Sequence, residues 1–364
     1  MTLLFTIILV ALTFEFLNGF HDTANSVAAV VGTKVLTPSR AIALAAVMNL
    51  CGALVGTAVA TTVGKGLVQS DCVTGGTLIC GLLAGILWNL LTWWLGLPSS
   101  SSHALIGGLV GAAIASAGND WSVVIWAAPV AGKPWYAGGG LLYKVILPMF
   151  TSPVLGFACG VLWMTFLYVV LSPFTPSAIN RVFRKGQIFS AAFLGFSHGS
   201  NDAQKTMGII ALALFTSTQA GVFAAAPDWL HFMQTVEFKV PVWVKVLCAL
   251  TMAGGTAAGG RRIIKTLGRK VSRLQPANGF AADTVSASVL LTTAHLGMPV
   301  STTHVVSTSI MGVGTARSAR RMNWSIVESI VWAWILTLPA TGLTAYGLWR
   351  FSQLLGLVTP SARP

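Results

Sequence analysis

Charged residues are scarce in this sequence. Only 9% of its 364 residues are Asp, Glu, Lys or Arg, whereas 54% are hydrophobic. Soluble domains carry about 25% charged residues, so this composition excludes an ordinary soluble protein. Together with a mean hydropathy of +0.76, it predicts an all-α polytopic membrane protein whose first partner is the lipid bilayer.

Acidic residues are the rarer charge, with nine Asp and Glu against 22 Lys and Arg, and the net charge is +13. An excess of this size would suit a nucleic-acid partner, but the basic residues fall in short loops between apolar runs. That distribution is typical of the cytoplasmic loops of membrane proteins. We therefore predict no nucleic-acid partner.

Cysteine is also sparse. The five cysteines are odd in number, lie mostly inside apolar runs and lack the spacing of metal ligands. They are interpreted as small core residues, and neither a cofactor nor a structural metal site is predicted. The five are Cys51, Cys72, Cys80, Cys159 and Cys248.

Apolar sequence is abundant, and most of it lies in runs long enough for the roughly 20 helical residues that cross a bilayer. About ten membrane segments are predicted. Runs 103–117 and 304–316 are short, so each is either a full span or one half of a re-entrant hairpin with the run before it. The runs are 2–32, 41–63, 74–97, 103–117, 141–171, 188–217, 241–260, 280–297, 304–316 and 325–348.

Two of these runs contain polar stretches that are expected to break their helices. Residues 18–25 read Asn-Gly-Phe-His-Asp-Thr-Ala-Asn, and residues 195–205 read Gly-Phe-Ser-His-Gly-Ser-Asn-Asp-Ala-Gln-Lys. Charged groups at membrane depth usually face a cavity and mark an ion or substrate path. The predicted coupling-ion or proton residues are His21, Asp22, Asn25, Asn201, Asp202 and Lys205, with Gln204 in a supporting role.

A second motif also occurs twice. Residues 95–103 read Leu-Gly-Leu-Pro-Ser-Ser-Ser-Ser-His, and residues 296–304 read Leu-Gly-Met-Pro-Val-Ser-Thr-Thr-His. The proline ends or redirects one helix, and the hydroxyl residues begin the next, where free N–H groups and a partial positive charge suit an anion. The predicted oxyanion-binding residues are Ser100, Ser101, Ser102, Ser301, Thr302 and Thr303, supported by His103 and His304.

Each half of the chain thus holds one polar stretch followed by one Pro-hydroxyl-His motif. Placing the basic clusters at 34–40, 181–185, 261–273 and 317–321 in the cytoplasm gives the halves opposite topology, with both termini outside. We predict two inverted repeats whose broken helices and hairpin tips meet near the midplane. The predicted units are a first repeat (1–175), a basic cytoplasmic linker (176–187), a second repeat (188–350) and a short tail (351–364).

The two motifs together favour a transporter that carries an oxyanion with a cation. A carboxylate such as Asp22 or Asp202 repels a dianion unless a proton or cation lies between them. Sulfate would fit the same hydroxyl groups, a channel is less favoured, and an intramembrane aspartyl protease would need the two aspartates but not the hydroxyl runs. Histidine, whose unperturbed side chain titrates near neutral pH, occurs in or beside these motifs at His21, His103, His198 and His304.

At these motifs the chain resembles the inorganic phosphate transporter (Pit) family, most closely its bacterial low-affinity PitA-type members. Residues 19–25 are similar to the family signature Gly-x-Asn-Asp-x-Ala-Asn, and residues 198–205 and 299–304 also match. The resemblance spans nearly the whole chain. It implies a homodimer in the cytoplasmic (inner) membrane that moves inorganic phosphate, partly as a neutral complex of a divalent metal with hydrogen phosphate.

The chain departs from the signature at His21. Sodium-coupled members of the family have Asn there, whereas the proton-coupled PitA-type members carry His. An imidazole is a poorer sodium ligand than a carboxamide oxygen and a better proton carrier. The resemblance therefore implies proton symport, with sodium coupling as the alternative.

Overall fold

The structure, a computed structural model, describes residues 1–129, 132, 138–224, 226–259, 275–317 and 324–360. Within that part the chain is almost wholly helical, and its β-structure amounts to two isolated bridges. The helices are α1 (Thr2–Gly32), α2 (Pro38–Ala53), α3 (Ala58–Lys65), α4 (Gly75–Leu95), α5 (Ser101–Ser116), α6 (Leu147–Leu171), α7 (Pro176–Gln219), α8 (Val242–Ala258), α9 (Pro276–His295), α10 (Thr302–Arg317) and α11 (Trp324–Leu354).

Four helical segments in the described residues are long and apolar enough to cross a membrane: Thr2–Gly32, Gly75–Leu95, Leu142–Leu171 and Val327–Leu354. The pair α2 and α3, bent by 72° at the break between them, makes a fifth if it is counted as one span. The chain is therefore a multi-pass helical membrane protein. The number of about ten segments stays a prediction.

The two polar stretches do not break their helices, contrary to the sequence prediction. Helix α1 runs through residues 18–25, and the 44-residue helix α7 runs through residues 195–205 without interruption. Several of the polar side chains bond to neighbouring helices while the helical backbone bonds are kept. Thr23 shows this, since its hydroxyl donates to Gly19 O (2.7 Å) and to Thr256 O on α8 (3.1 Å).

Residues 176–187, predicted as a linker between repeats, are helical and form the first turns of α7. Of the basic clusters assigned to the cytoplasm, residues 261–273 and 320–321 lie outside the described residues.

A helix break occurs instead inside the run 41–63. Helix α2 ends at Ala53 and α3 begins at Ala58, with Gly56 in the left-handed region (φ +80°) between them. The buried amide of Gln204 serves both new helix ends. Its Oε1 accepts from Val59 N (2.9 Å), and its Nε2 donates to Val55 O (3.2 Å). These bonds replace helical ones that the break removes.

The two Pro-hydroxyl motifs form matched turns. Helix α4 ends at Gly96 (φ +69°), and the turn after α9 has Gly297 at φ +64°, a conformation that glycine adopts without strain. The next helices begin with serine caps: Ser100 Oγ accepts from His103 N (3.1 Å), and Ser301 Oγ accepts from His304 N (3.2 Å). Each turn therefore delivers a helix N-terminus into the protein interior.

Helices from the two halves of the chain interlock at close range. Helix α2 lies so close to α7 that a Cβ atom added to Gly52 would be 1.9 Å from Phe196 O. Helix α8 approaches α1 in the same way, and a Cβ atom added to Gly255 would be 2.1 Å from Phe16 O. Helix α5 packs on α11, and α10 packs on α6. This exchange brings the two turns with their first helical residues, 96–103 and 297–304, to the polar stretches of α1 and α7. These two segments are called the first and second hairpin tips.

Candidate functional site

The centre of the site is a buried ion pair on α7. Lys205 Nζ donates to Asp202 Oδ1, one helical turn away, and both side chains are almost inaccessible. The same ammonium donates to Ser102 Oγ on α5 and to Val300 O (3.1 Å) in the turn before α10. Lys205 thus touches both hairpin tips at once.

The second hairpin tip reaches the polar stretches of both halves. Thr302 Oγ1 donates to Asp202 Oδ2 (3.0 Å), and Asn25 Nδ2 on α1 donates to Thr303 Oγ1 (2.9 Å). Asn201 Nδ2 lies 3.4 Å from Met298 O in the turn before α10. Two hydroxyls predicted to bind an oxyanion therefore contact residues predicted to bind the coupling ion.

His21 and Asp22 form a second polar unit on α1. His21 Nδ1 lies 2.8 Å from Asp22 Oδ1, and its Nε2 lies 3.2 Å from Thr92 Oγ1 on α4. Ser99 Oγ donates to the same threonine hydroxyl (2.8 Å). The imidazole therefore connects the carboxylate to the base of the first hairpin.

The carboxylates of Asp22 and Asp202 lie close together, as the matched positions of the two polar stretches predict. One ligand atom of each, together with one of His198, falls within 4.8 Å of the others. His198 Nε2 is 3.3 Å from Asp202 Oδ2, and its Nδ1 is 3.1 Å from Asn49 Oδ1 on α2. These three side chains are spaced to hold a cation.

His198 is the residue that sequence reasoning left out of the coupling set. The available signal was its i, i+4 spacing to Asp202, which places the two on one face of α7. Glu15 is a second omission: it is fully buried on α1 and accepts from Thr206 Oγ1 on α7. Asp283, in contrast, lies away from this cluster and pairs with Ser190 Oγ (3.3 Å).

Several predicted residues have other contacts. Ser100 and Ser301 cap their own helices, and Gln204 serves the α2–α3 break rather than the ion cluster. His103 and His304 are buried and contact each other edge to face, with ring centroids 4.9 Å apart. The two hairpin tips therefore meet, as predicted, through these rings.

The charges of the cluster decide what can enter it. Asp22 and Asp202 are both buried, and within the described part of the chain the fixed cation paired with them is Lys205, on Asp202, so with neutral histidines the group is net negative. An anion brought beside it is repelled unless a proton or cation accompanies it. The helix N-termini of α5 and α10 offer the compensating N–H groups. The arrangement suits an anion and a cation bound together.

Comparisons with known proteins agree with this architecture. The model of the phosphate transporter family matches residues 18–345. A probable low-affinity inorganic phosphate transporter of Bacillus subtilis is 40% identical over 345 residues, covering 93% of this chain and 95% of that protein. A protein of the same description from Rhizobium meliloti is 42% identical and covers 94% of each. A solved structure described as the sodium-dependent phosphate transporter has a TM-score of 0.78 at 22% identity, covering 98% of this chain and 100% of that one.

Proposed function

The chain belongs to the phosphate transporter family, and from that premise we propose that it imports inorganic phosphate by proton symport. Like the relatives that it matches, the chain is a transporter and not an enzyme. The aspartyl protease alternative is therefore discarded. Phosphate is proposed as the substrate because it is the ion named for those relatives.

One observation carries the proposal: Lys205 contacts both hairpin tips and Asp202 together. A phosphate oxygen that replaces Asp202 as the partner of Lys205 gains hydroxyls and helix N-termini from both halves of the chain. The released carboxylate then needs a positive partner. Binding of the anion and uptake of a cation are coupled in this way by a single ammonium group.

The proton is favoured as the coupling ion by the contacts of His21. Its two ring nitrogens face Asp22 and Thr92, so a proton held on the imidazole passes directly to the carboxylate. A sodium ion prefers several neutral oxygens around a carboxylate, and here a ring nitrogen occupies one such place. A neutral complex of a divalent metal with hydrogen phosphate is proposed as a second form of the cargo, since it adds no net charge to the cluster.

The overall organisation is proposed to be two inverted repeats. Support comes from the paired contacts α2–α7 and α8–α1, and from the matched turns with Gly96 and Gly297. Placement in the cytoplasmic membrane, external termini and a homodimer follow from the basic loops and the family resemblance, and remain proposals.

Transport by the purified protein in liposomes tests the mechanism. We expect phosphate to accumulate under an inward proton gradient and not under a sodium gradient at equal pH. Asp22→Asn should abolish accumulation, and His21→Asn should flatten its pH dependence. Asp283→Asn, which removes another buried carboxylate, is the matched control and should accumulate phosphate normally.

Accumulation driven by sodium alone would instead establish the sodium alternative. Competition separates the oxyanions: arsenate should displace labelled phosphate, whereas excess sulfate should not. Strong competition by sulfate would contradict phosphate as the preferred substrate.

A further inference from the structure

A large cavity lies apart from the ion cluster. It is bounded by α5, α11 and residues 119–126, which follow α5. Its volume is about 710 Å³, within the roughly 300–1,000 Å³ that is typical of sites for small molecules. Its walls are almost wholly apolar and include Val110 and Ile114 of α5, Leu338 and Leu343 of α11, and Ile146. None of these residues belongs to the phosphate site described above.

The cavity has the length of an acyl chain in one leaflet. Its lining on α11 extends from Leu338 to Tyr346, which at 1.5 Å per residue is about 12 Å along the helix. One leaflet contributes about half of the roughly 30 Å hydrocarbon core. A chain that enters at Tyr346 therefore reaches most of the way to the bilayer centre.

The mouth of the cavity is lined by tryptophans, a residue type that is enriched at the membrane–water interface. Trp121 and Trp126 line it, are 59% and 42% exposed, and stack with ring centroids 6.1 Å apart. Tryptophan concentrates where hydrocarbon meets the head groups. The cavity thus opens at head-group level and extends into the hydrocarbon.

A fixed cation stands at this mouth. The guanidinium of Arg350 donates to Asn119 Oδ1 (3.3 Å) and to Tyr346 Oη (3.2 Å), which both line the cavity, and to Gln353 Oε1 (3.1 Å). All three acceptors are neutral, so they hold the guanidinium in place without neutralising it. The nearby carboxylate of Asp120 accepts from Ser122 N (2.9 Å).

We propose that this cavity is a binding site for one phospholipid, with an acyl chain lying along the groove beside the contact of α5 with α11 and the head-group phosphate on Arg350. An apolar channel of acyl-chain length beneath an arginine matches the two chemical parts of that lipid. The site is separate from transport chemistry, because α5 carries Ser101 and Ser102 at its opposite end. A bound lipid would steady α5 against α11.

Native mass spectrometry of protein purified from membranes in mild detergent tests the site. The wild-type chain should retain one phospholipid. Arg350→Gln and Val110→Phe, which remove the cation and fill the cavity, should each reduce the retained fraction about tenfold, as loss of a charge-assisted bond or of the chain's space predicts. Leu343→Trp fills the same cavity from its exposed rim and replaces Val110→Phe if that variant does not fold.

Two controls separate a site from the general lipid belt. Arg350→Lys keeps the charge and should retain the lipid, and Leu155→Trp adds the same bulk to an exposed position of α6 and should leave retention unchanged. Equal retention by all variants would overturn the proposal. Efficient disulfide dimers of Leu343→Cys, together with no retained lipid in the wild type, would assign the cavity to a second copy of the chain and also overturn it.

Discussion

Lys205 has only 2% of its side chain exposed to solvent, and its ammonium donates to three oxygens, those of Asp202, Ser102 and Val300. A buried ammonium without such partners is very costly. We propose that the same property makes Lys205 a switch, since the ammonium must always have a negative or polar partner. In the proposed mechanism that partner alternates between Asp202 and the anion.

Removing the ammonium should damage the protein in two separable ways. Lys205→Met leaves Asp202 buried and unpaired and should lower the free energy of unfolding by about 3–5 kcal/mol. The double variant Lys205→Met with Asp202→Asn should recover most of that stability, because no lone charge remains, but it should not transport phosphate. Thermal unfolding in detergent and uptake in liposomes measure the two effects. Uptake by the double variant would show that the pair is only structural.

The hydroxyl of Thr302 should contribute to affinity. In the proposed mechanism this hydroxyl donates to the bound phosphate, and a hydrogen bond to a charged group is worth about 1.5–3 kcal/mol. For Thr302→Ala we therefore expect at least a tenfold rise in the phosphate concentration that gives half-maximal uptake. Thr302→Ser should restore the wild-type value. Thr308→Ala on the same helix removes a hydroxyl that bonds only to carbonyls of its own helix and should transport normally. Equal effects of the two alanine variants would remove Thr302 from the site.

At the scale of the helices, the α2–α3 break depends on one side chain from α7. Gln204→Leu leaves Val59 N and Val55 O without their partner, and we expect unfolding to become easier by about 2–4 kcal/mol. Thr216→Ala removes a hydroxyl from the same helix that bonds only to Leu212 O and Ala213 O. It should shift the midpoint of thermal unfolding much less. An unchanged midpoint for Gln204→Leu would mean that the break is stable by itself.

The hairpins show why an isolated helix N-terminus is not enough for a site. Each tip lies against helices of the other half, so Ser102 Oγ comes within 3.4 Å of Val300 O. In the proposed mechanism both N-termini bind the same anion. A shift of either hairpin changes both sides of the site together.

At the scale of the whole molecule, the proposed inverted arrangement predicts where the loops lie. The start of α7 should be cytoplasmic and the 218–240 loop external. In a chain without its native cysteines, Arg184→Cys should react with a membrane-impermeant maleimide only in inside-out vesicles. Val236 is 71% exposed, and Val236→Cys should react only in intact cells. Reaction of both positions from one side would contradict opposite topology of the halves.

The sequence alone determined the membrane class, the two pairs of matched motifs and the residue types of the site. These follow from composition and spacing, which are local properties of the chain. The approach of Asp22 to Asp202 was also predictable, because equivalent positions in paired motifs converge when the halves pack together.

Tertiary structure decided the remaining features. Residues 18–25 and 195–205 stay helical, and several of their side chains bond to remote partners such as Thr256 O. The run 41–63 breaks because Gln204, about 145 residues away in sequence, serves its backbone. His198 and Asp202 lie one helical turn apart on α7, but their approach to Asp22 is created only by the packing of the helices. A polar group in the membrane interior is stabilised by a hydrogen-bond partner, and only the packed helices determine which partner on another helix it contacts.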